Sequence, residues 1–249
     1  MAHDPGPAMT ERLLRDAGLR PGMRLLDVGC GYGRVAEIAA RLVGPEGEVV
    51  AIDRDAPTLE AARQRLSDAP RISLLQADLL SPPAGPFDAV VGRRVLMYQP
   101  CRQTAVRVLA ATLRPGGLMV FEEVDAEAVP RPSRPHPLHE QIYRVVWETV
   151  RREGATLSMG QELAGVMREA GLQVEHVRAE AIVQTPEQRH VIADIVRAIA
   201  PRIFEHGAAT AEELDLDTLD ERLAAELRAT GGPFIGDMVF GVWARSDTK

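Results

Sequence analysis

The stretch Arg24-Leu25-Leu26-Asp27-Val28-Gly29-Cys30-Gly31-Tyr32-Gly33-Arg34 constrains this chain more than any other. Leu25, Leu26 and Val28 are apolar without strict alternation, the pattern of a parallel strand covered on both faces. The glycines that follow alternate with Cys30 and Tyr32. Glycine tolerates positive φ and admits a ligand to backbone that a Cβ would block. A helix starting near Arg34 leaves free N–H groups pointing at the turn. Strand, glycine turn and helix together predict a nucleotide-type ligand.

Spacing narrows the choice of nucleotide. The dinucleotide fingerprint is G-x-G-x-x-G, with a pyrophosphate at the helix start. Here the third glycine comes one place early, at Gly33, and Arg34 stands where the fingerprint wants glycine. Asp27 lies two residues before the first glycine, where a carboxylate repels a pyrophosphate and attracts a cation. This D-x-G-x-G-x-G run resembles the first motif of class I S-adenosylmethionine-dependent methyltransferases. Their cofactor carries a sulfonium and no phosphate.

In chain order, Thr10 is expected to cap a helix over Glu11–Ala17, and Arg20-Pro21-Gly22 to turn into the first strand. A helix over Gly33–Leu42 and a second buried strand over Glu48–Ile52 lead to Asp53. Asp53 lies about 20 residues beyond the glycine turn, where an acid accepts hydrogen bonds from ribose hydroxyls. Arg54 follows it, and Asp55 or Thr58 caps the next helix. A third strand over Ile72–Leu75 ends near Asp78 and Leu79, which the resemblance places at the adenine. A fourth strand, Phe87–Gly92, is followed by Arg93. Ligands of open α/β sheets sit beyond the carboxyl ends of strands, so Gly92 and Arg93 should border the cofactor. Arg93 is expected to meet the cofactor carboxylate or to pair with Asp27.

A helix over Arg102–Leu113 and the run Leu113-Arg114-Pro115-Gly116-Gly117 lead to a fifth strand over Leu118–Val124, again as in that family. Helices are expected over Leu138–Arg152, Gln161–Ala170, Pro186–Phe204 and Ala211–Ala229, with strands over Leu172–Ile182 and Met238–Ala244. The resemblance implies a Rossmann-like α/β fold, a seven-stranded sheet in order 3-2-1-4-5-7-6 with strand 7 antiparallel and helices on both faces. The expected organisation is one domain, 1–249, with 126–155 and 186–231 as helical cap insertions. The later helices can equally form a dimerisation surface.

Composition bounds the rest. The chain has 249 residues, 45% of them hydrophobic, enough for a sizeable core without crosslinks. Two cysteines, one inside the glycine turn, argue against a disulfide framework and for a reducing, cytoplasmic setting. Net charge of −7 argues against nucleic acid as the main partner. No apolar run has the length of a membrane span, and residues 1–10, with His3 and Asp4, lack a signal-peptide pattern.

The expected reaction is in-line transfer of a methyl group from S-adenosylmethionine to an N, O or C atom of a small aromatic or apolar molecule. The expected cofactor residues are Asp27, Gly29, Gly31, Asp53, Arg54, Asp78, Leu79, Gly92 and Arg93. Candidate bases are Glu122, Glu123, Asp125, His136 and His139, with His139 first among the histidines and strand alternation turning only one of Glu122 and Glu123 to the cleft. Glu123, His139 and Tyr98 form the expected catalytic set. Tyr98 occupies a position where the family usually has histidine, and with Tyr32 it is placed to contact a sulfonium through its ring. No metal-ligand spacing is present. The competing readings are a member that binds cofactor without methyl transfer and an NAD-dependent oxidoreductase.

Overall fold

Strand β1, Arg24–Val28, lies in the sheet interior with β2, Glu48–Asp53, on one side and β4, Phe87–Arg93, on the other. All three pair in parallel, with Asp27 level with Ala51 and Val91. Strand β3, Ile72–Gln76, continues the sheet beyond β2, and β5, Leu113–Asp125, continues it beyond β4. With β6, Gln173–Gln184, and β7, Phe234–Arg245, the sheet has seven strands in the order β3-β2-β1-β4-β5-β7-β6, β7 being antiparallel. The strand order expected from the sequence is therefore the order found. This computed structural model describes residues 4–247, so His3 of the N-terminal segment lies outside the described residues.

The chain divides into two compact units. One comprises Gly6–Glu123, Met159–Ala179 and residues 240–247. Its helices are α1 (Gly6–Asp16), α2 (Arg34–Val43), α3 (Ala56–Arg65), α4 (Arg102–Ala110) and α6 (Met159–Glu169), the last following α5 (Pro137–Arg152) in the chain. Leu13, Ile38, Leu59, Val91 and Val120 meet in its core. The other unit comprises Val124–Ser158 and Glu180–Val239 with residues 4–5. It contains α5, α7 (Ile192–Glu205), α8 (Ala211–Leu214) and α9 (Leu219–Thr230). Ile142, Val146, Val196, Leu223 and Phe234 form its own core. Both stretches expected as insertions, 126–155 and 186–231, fall in this unit.

Local chemistry moved several element ends. Helix α1 begins at Gly6, and Thr10 is inside it, its one hydroxyl proton shared between the Gly6 carbonyl at 2.9 Å and Glu122 Oε1 at 3.0 Å, so it does not cap. Asp55 caps α3 by accepting from the Thr58 amide. Helix α4 stops at Ala110, where the Thr112 hydroxyl turns back to the Leu109 carbonyl, and β5 already starts at Leu113. Helix α7 starts at Ile192 and not at Pro186, because His190 Nδ1 accepts the Ile192 amide and sets the first turn there. The single helix expected over Ala211–Ala229 is two. Thr210 and Glu213 form a capping box for α8, and Asp215, at φ 44°, ends it in the left-handed region.

Two features give testable energetics. A Cβ on Gly236 of β7 would overlap the phenol ring of Tyr143, whose hydroxyl accepts from the Gln184 amide at 2.7 Å. Gly236→Ala should therefore destabilise the protein by about 1–3 kcal/mol, as overpacking does. Denaturant melts would show this as a lower midpoint, and an unchanged midpoint would mean that Tyr143 yields freely.

The second feature is a pair of buried carboxyls in the first unit. Burial pushes Asp27 up to about 8, against the opposing pull of the Arg93 charge and the Ala36 amide. Burial also pushes Glu123 up to about 7, against the amides of Val95 and Leu96. Each native pKa lies above its unfolded value, so between about pH 4 and these values the native state binds more protons. Their contribution is complete below about pH 4 and is lost as pH rises toward 8. The unfolding midpoint of the free protein should fall from about pH 5.5 to 8, and Asp27→Asn should flatten that fall. Parallel pH profiles for the two proteins would show that Asp27 is already ionised at the lower pH.

Candidate functional site

The turn between β1 and α2 runs through Gly29, Gly31 and Gly33, at φ 61°, 53° and 75°. All three lie in the left-handed region, which explains the alternating glycines. A Cβ on Gly29 would overlap Val95, and one on Gly33 would overlap Leu66. The Cys30 amide donates to the Ile52 carbonyl at 2.9 Å, fastening the turn to the end of β2. Asp53, the last residue of β2, completes the brace. Its Oδ2 accepts the Gly31 amide at 2.9 Å and its Oδ1 accepts the Asp55 amide at 3.0 Å. The parallel β1–β2 register, which sets Val28 level with Ile52, puts this carboxylate beside the turn.

A cleft of about 200 Å³ opens at the carboxyl ends of these strands. Gly29, Asp53, Arg54, Asp78 and Leu79 line it, all named from the sequence as cofactor residues. Asp78 Oδ1 accepts the Leu80 amide at 2.8 Å, which holds the carboxylate at the end of the β3 connection. Tyr98 lines the same cleft, on the single 3-10 turn Leu96–Tyr98. Tyr32, by contrast, is 60% exposed, and its carbonyl is bound by Arg65.

The other expected residues, Gly31 of the turn among them, do not line this cleft. Asp27 is buried in the sheet, and neither carboxylate oxygen makes a hydrogen bond of ordinary geometry. Gly92 faces Phe121, whose ring a Cβ would press at 2.5 Å. Arg93 Nη1 donates to Thr10 Oγ1 at 3.2 Å, and its charge also acts on Asp27.

Sequence reading missed Arg94, Val95 and Gln99, which line the cleft. Arg94 is at φ 55°, an uncommon conformation for a residue with a Cβ, and its amide donates to the Glu122 carbonyl at 2.9 Å. The next two amides, of Val95 and Leu96, both donate to Glu123 Oε1, at 2.9 and 2.8 Å. Glu122 and Glu123 thus point opposite ways, as strand alternation requires. Glu122 accepts from Thr10, and Glu123 clamps the segment after β4 against the turn at Gly29. The only advance signal for this clamp was a pair of acids at the end of a buried strand.

The remaining candidates belong to the other unit. Asp125 Oδ1 accepts the amides of Glu127 and Ala128 at 3.0 and 2.8 Å, closing the turn after β5. His136 Nδ1 lies 2.8 Å from the Arg134 carbonyl and its Nε2 2.9 Å from the Thr230 hydroxyl. His139 is fully buried, with Nδ1 2.6 Å from Glu226 Oε2. Among the described residues no group of three or more His, Cys, Asp or Glu is placed to hold a metal ion, and no helix is long and apolar enough to cross a membrane.

Known proteins share this fold. Residues 25–117 match the family model of a methyltransferase domain. A demethylmenaquinone methyltransferase of Staphylococcus aureus is 30% identical over 142 residues, 56% of each chain. The chain spans about half the length of the curated relatives it matches. A candidate methyltransferase of Bacillus halodurans superposes with a TM-score of 0.65 at 18% identity, over 97% of this chain and 100% of that one. A SAM-dependent methyltransferase from Aquifex aeolicus does so with a TM-score of 0.58 at 17% identity, over 97% and 93%. At such identities the structural likeness establishes the fold. Residues 25–117 therefore carry a methyltransferase domain, and the chain has the fold of these S-adenosylmethionine-dependent methyltransferases.

Proposed function

We propose that the chain binds S-adenosylmethionine in the cleft beside the glycine turn and transfers its methyl group to an N, O or C atom of a small aromatic or apolar molecule. The observation that carries this reading is the convergence of Asp53, Asp78 and Gly29 on one cleft at the carboxyl edge of the sheet. Asp53 suits ribose hydroxyls, because each of its oxygens uses one lone pair on a backbone amide and keeps another. Asp78 keeps one oxygen for the adenine amine. The sulfonium is already activated, so the protein's task is alignment and exclusion of water, and alignment of two bound reactants is worth up to about 7–11 kcal/mol. An NAD-dependent oxidoreductase is disfavoured by Arg34 in the fingerprint position and by the antiparallel β7, which the usual dinucleotide strand order lacks.

Glu123 enters this reading as a positioning residue. Both Val95 and Arg94 reach the cleft from the segment it clamps.

Calorimetric titration with S-adenosylhomocysteine, with NAD as control, tests the cofactor. Saturable binding of the first alone is expected, and binding of NAD alone would overturn the assignment. Asp53→Ala should weaken S-adenosylhomocysteine binding about tenfold or more, since it removes ribose acceptors and the brace of the turn together. Unchanged affinity would remove Asp53 from the site. Glu123→Ala should weaken the same binding about tenfold, while Glu123→Gln, whose amide oxygen still accepts, should stay within a few-fold of wild type. A glutamine variant with normal cofactor affinity and abolished turnover would instead make Glu123 the base.

A further inference from the structure

The second unit contains a cavity of about 700 Å³ that the cofactor reading does not use. Pro186, Ile192, Leu223, Ala224 and Leu227 supply apolar wall. Four charged residues line it, Arg189 and Arg228 against Asp220 and Glu221, so the formal charges cancel. Arg189 is moreover engaged by Asp194 at 2.7 Å and by Asp220 at 2.9 Å. The lining therefore has no excess charge with which to attract an anion or a cation.

Two fully or nearly fully buried polar residues, His139 and Gln184, also belong to the lining. Glu226 fixes the state of the histidine. Its carboxylate accepts the Leu138 amide at 2.8 Å, the His139 amide at 3.0 Å and His139 Nδ1 at 2.6 Å. These donors outweigh burial and hold Glu226 below the usual carboxylate range, so it is ionised and can only accept. The proton of the neutral imidazole must then sit on Nδ1. Burial holds the imidazole below its ordinary pKa, which keeps it neutral. Nε2 is left as a bare acceptor. It makes no hydrogen bond of ordinary geometry in the chain, although Gln184 lies close enough to raise its basicity. The Gln184 amide itself donates to the Tyr143 hydroxyl.

A neutral, mostly apolar cavity with one unused buried acceptor selects a particular ligand chemistry. We propose that this cavity binds a small, uncharged, largely apolar molecule through one O–H or N–H donor directed at His139 Nε2, with Glu226 as the positioning residue that fixes the tautomer. Nε2 is buried from solvent, so admitting the donor requires the neighbouring Gln184 side chain to move. A group built to accept from a donor discriminates strongly against an analogue without one, because the buried acceptor is then left unpaired.

The test uses cofactor-free protein, so its failure is separable from failure of the S-adenosylhomocysteine titration. Fluorescence titration compares 2-naphthol with 2-methoxynaphthalene, which keeps the ring and lacks the donor. Saturable naphthol binding, at least about tenfold tighter than the methyl ether, is expected. Ala224→Trp should narrow the cavity and weaken naphthol binding about tenfold or more. Glu226→Gln should reduce the preference between the two probes, because the amide nitrogen then faces a backbone N–H where the carboxylate accepted one, which loosens the hold on His139. Equal affinity for both probes, no saturable naphthol binding, or naphthol binding unaffected by Ala224→Trp would each overturn the proposal. The wild-type comparison and the Ala224→Trp variant decide the matter even if Glu226→Gln does not fold.

Discussion

The cleft beside the glycine turn depends on one carboxylate accepting two backbone amides. Three glycines in the left-handed region form a turn with little conformational preference of its own, and glycine loses more freedom on ordering than any other residue. Asp53 offsets that cost by binding the Gly31 amide from one side and the Asp55 amide from the other. The same residue therefore ends β2, fixes the turn after β1 and leads into the capped start of α3. A ribose bound there would meet a carboxylate already immobilised by the fold.

A second brace comes from β5. Consecutive acids on a strand face opposite ways, and here each direction has a use. Glu122 reaches Thr10 on α1, while Glu123 gathers the Val95 and Leu96 amides. The Glu122 carbonyl also receives the amide of Arg94, which holds an uncommon backbone conformation at the rim of the cleft. Strain at such a position persists only where its surroundings over-determine it. The end of β5 supplies three such contacts within two residues.

The second unit uses its acids differently. Glu226 ties α9 to the first turn of α5, and Asp237 accepts the Trp147 indole at 3.1 Å. Phe234 packs against His136, His139 and Tyr143, with ring centroids 4.9–5.5 Å apart. This polar and aromatic cluster organises a unit whose helices otherwise meet through aliphatic contacts. It also leaves His139 in a single tautomer beside a cavity.

The sequence by itself determined the framework and much of the cleft. Strand and glycine-turn signals are local, and strand order followed from the family resemblance they established. Asp53 and Asp78 were legible because each stands at the end of a short apolar strand, a position that chain order alone defines. Asp27 was legible as an acid beside the turn, while its burial depended on β2 and β4 pairing on either side of β1. Roles that join residues far apart in the chain stayed hidden. Glu123 and Val95, or His139 and Glu226, meet only through packing, and no spacing encodes a contact across 28 or 87 residues. The start of α7 and the break between α8 and α9 were misread for a related reason. The apolar register begins only at Ile192 and Leu219, and no hydrophobic signal marks His190, which accepts the Ile192 amide, or Asp215, whose left-handed backbone ends α8.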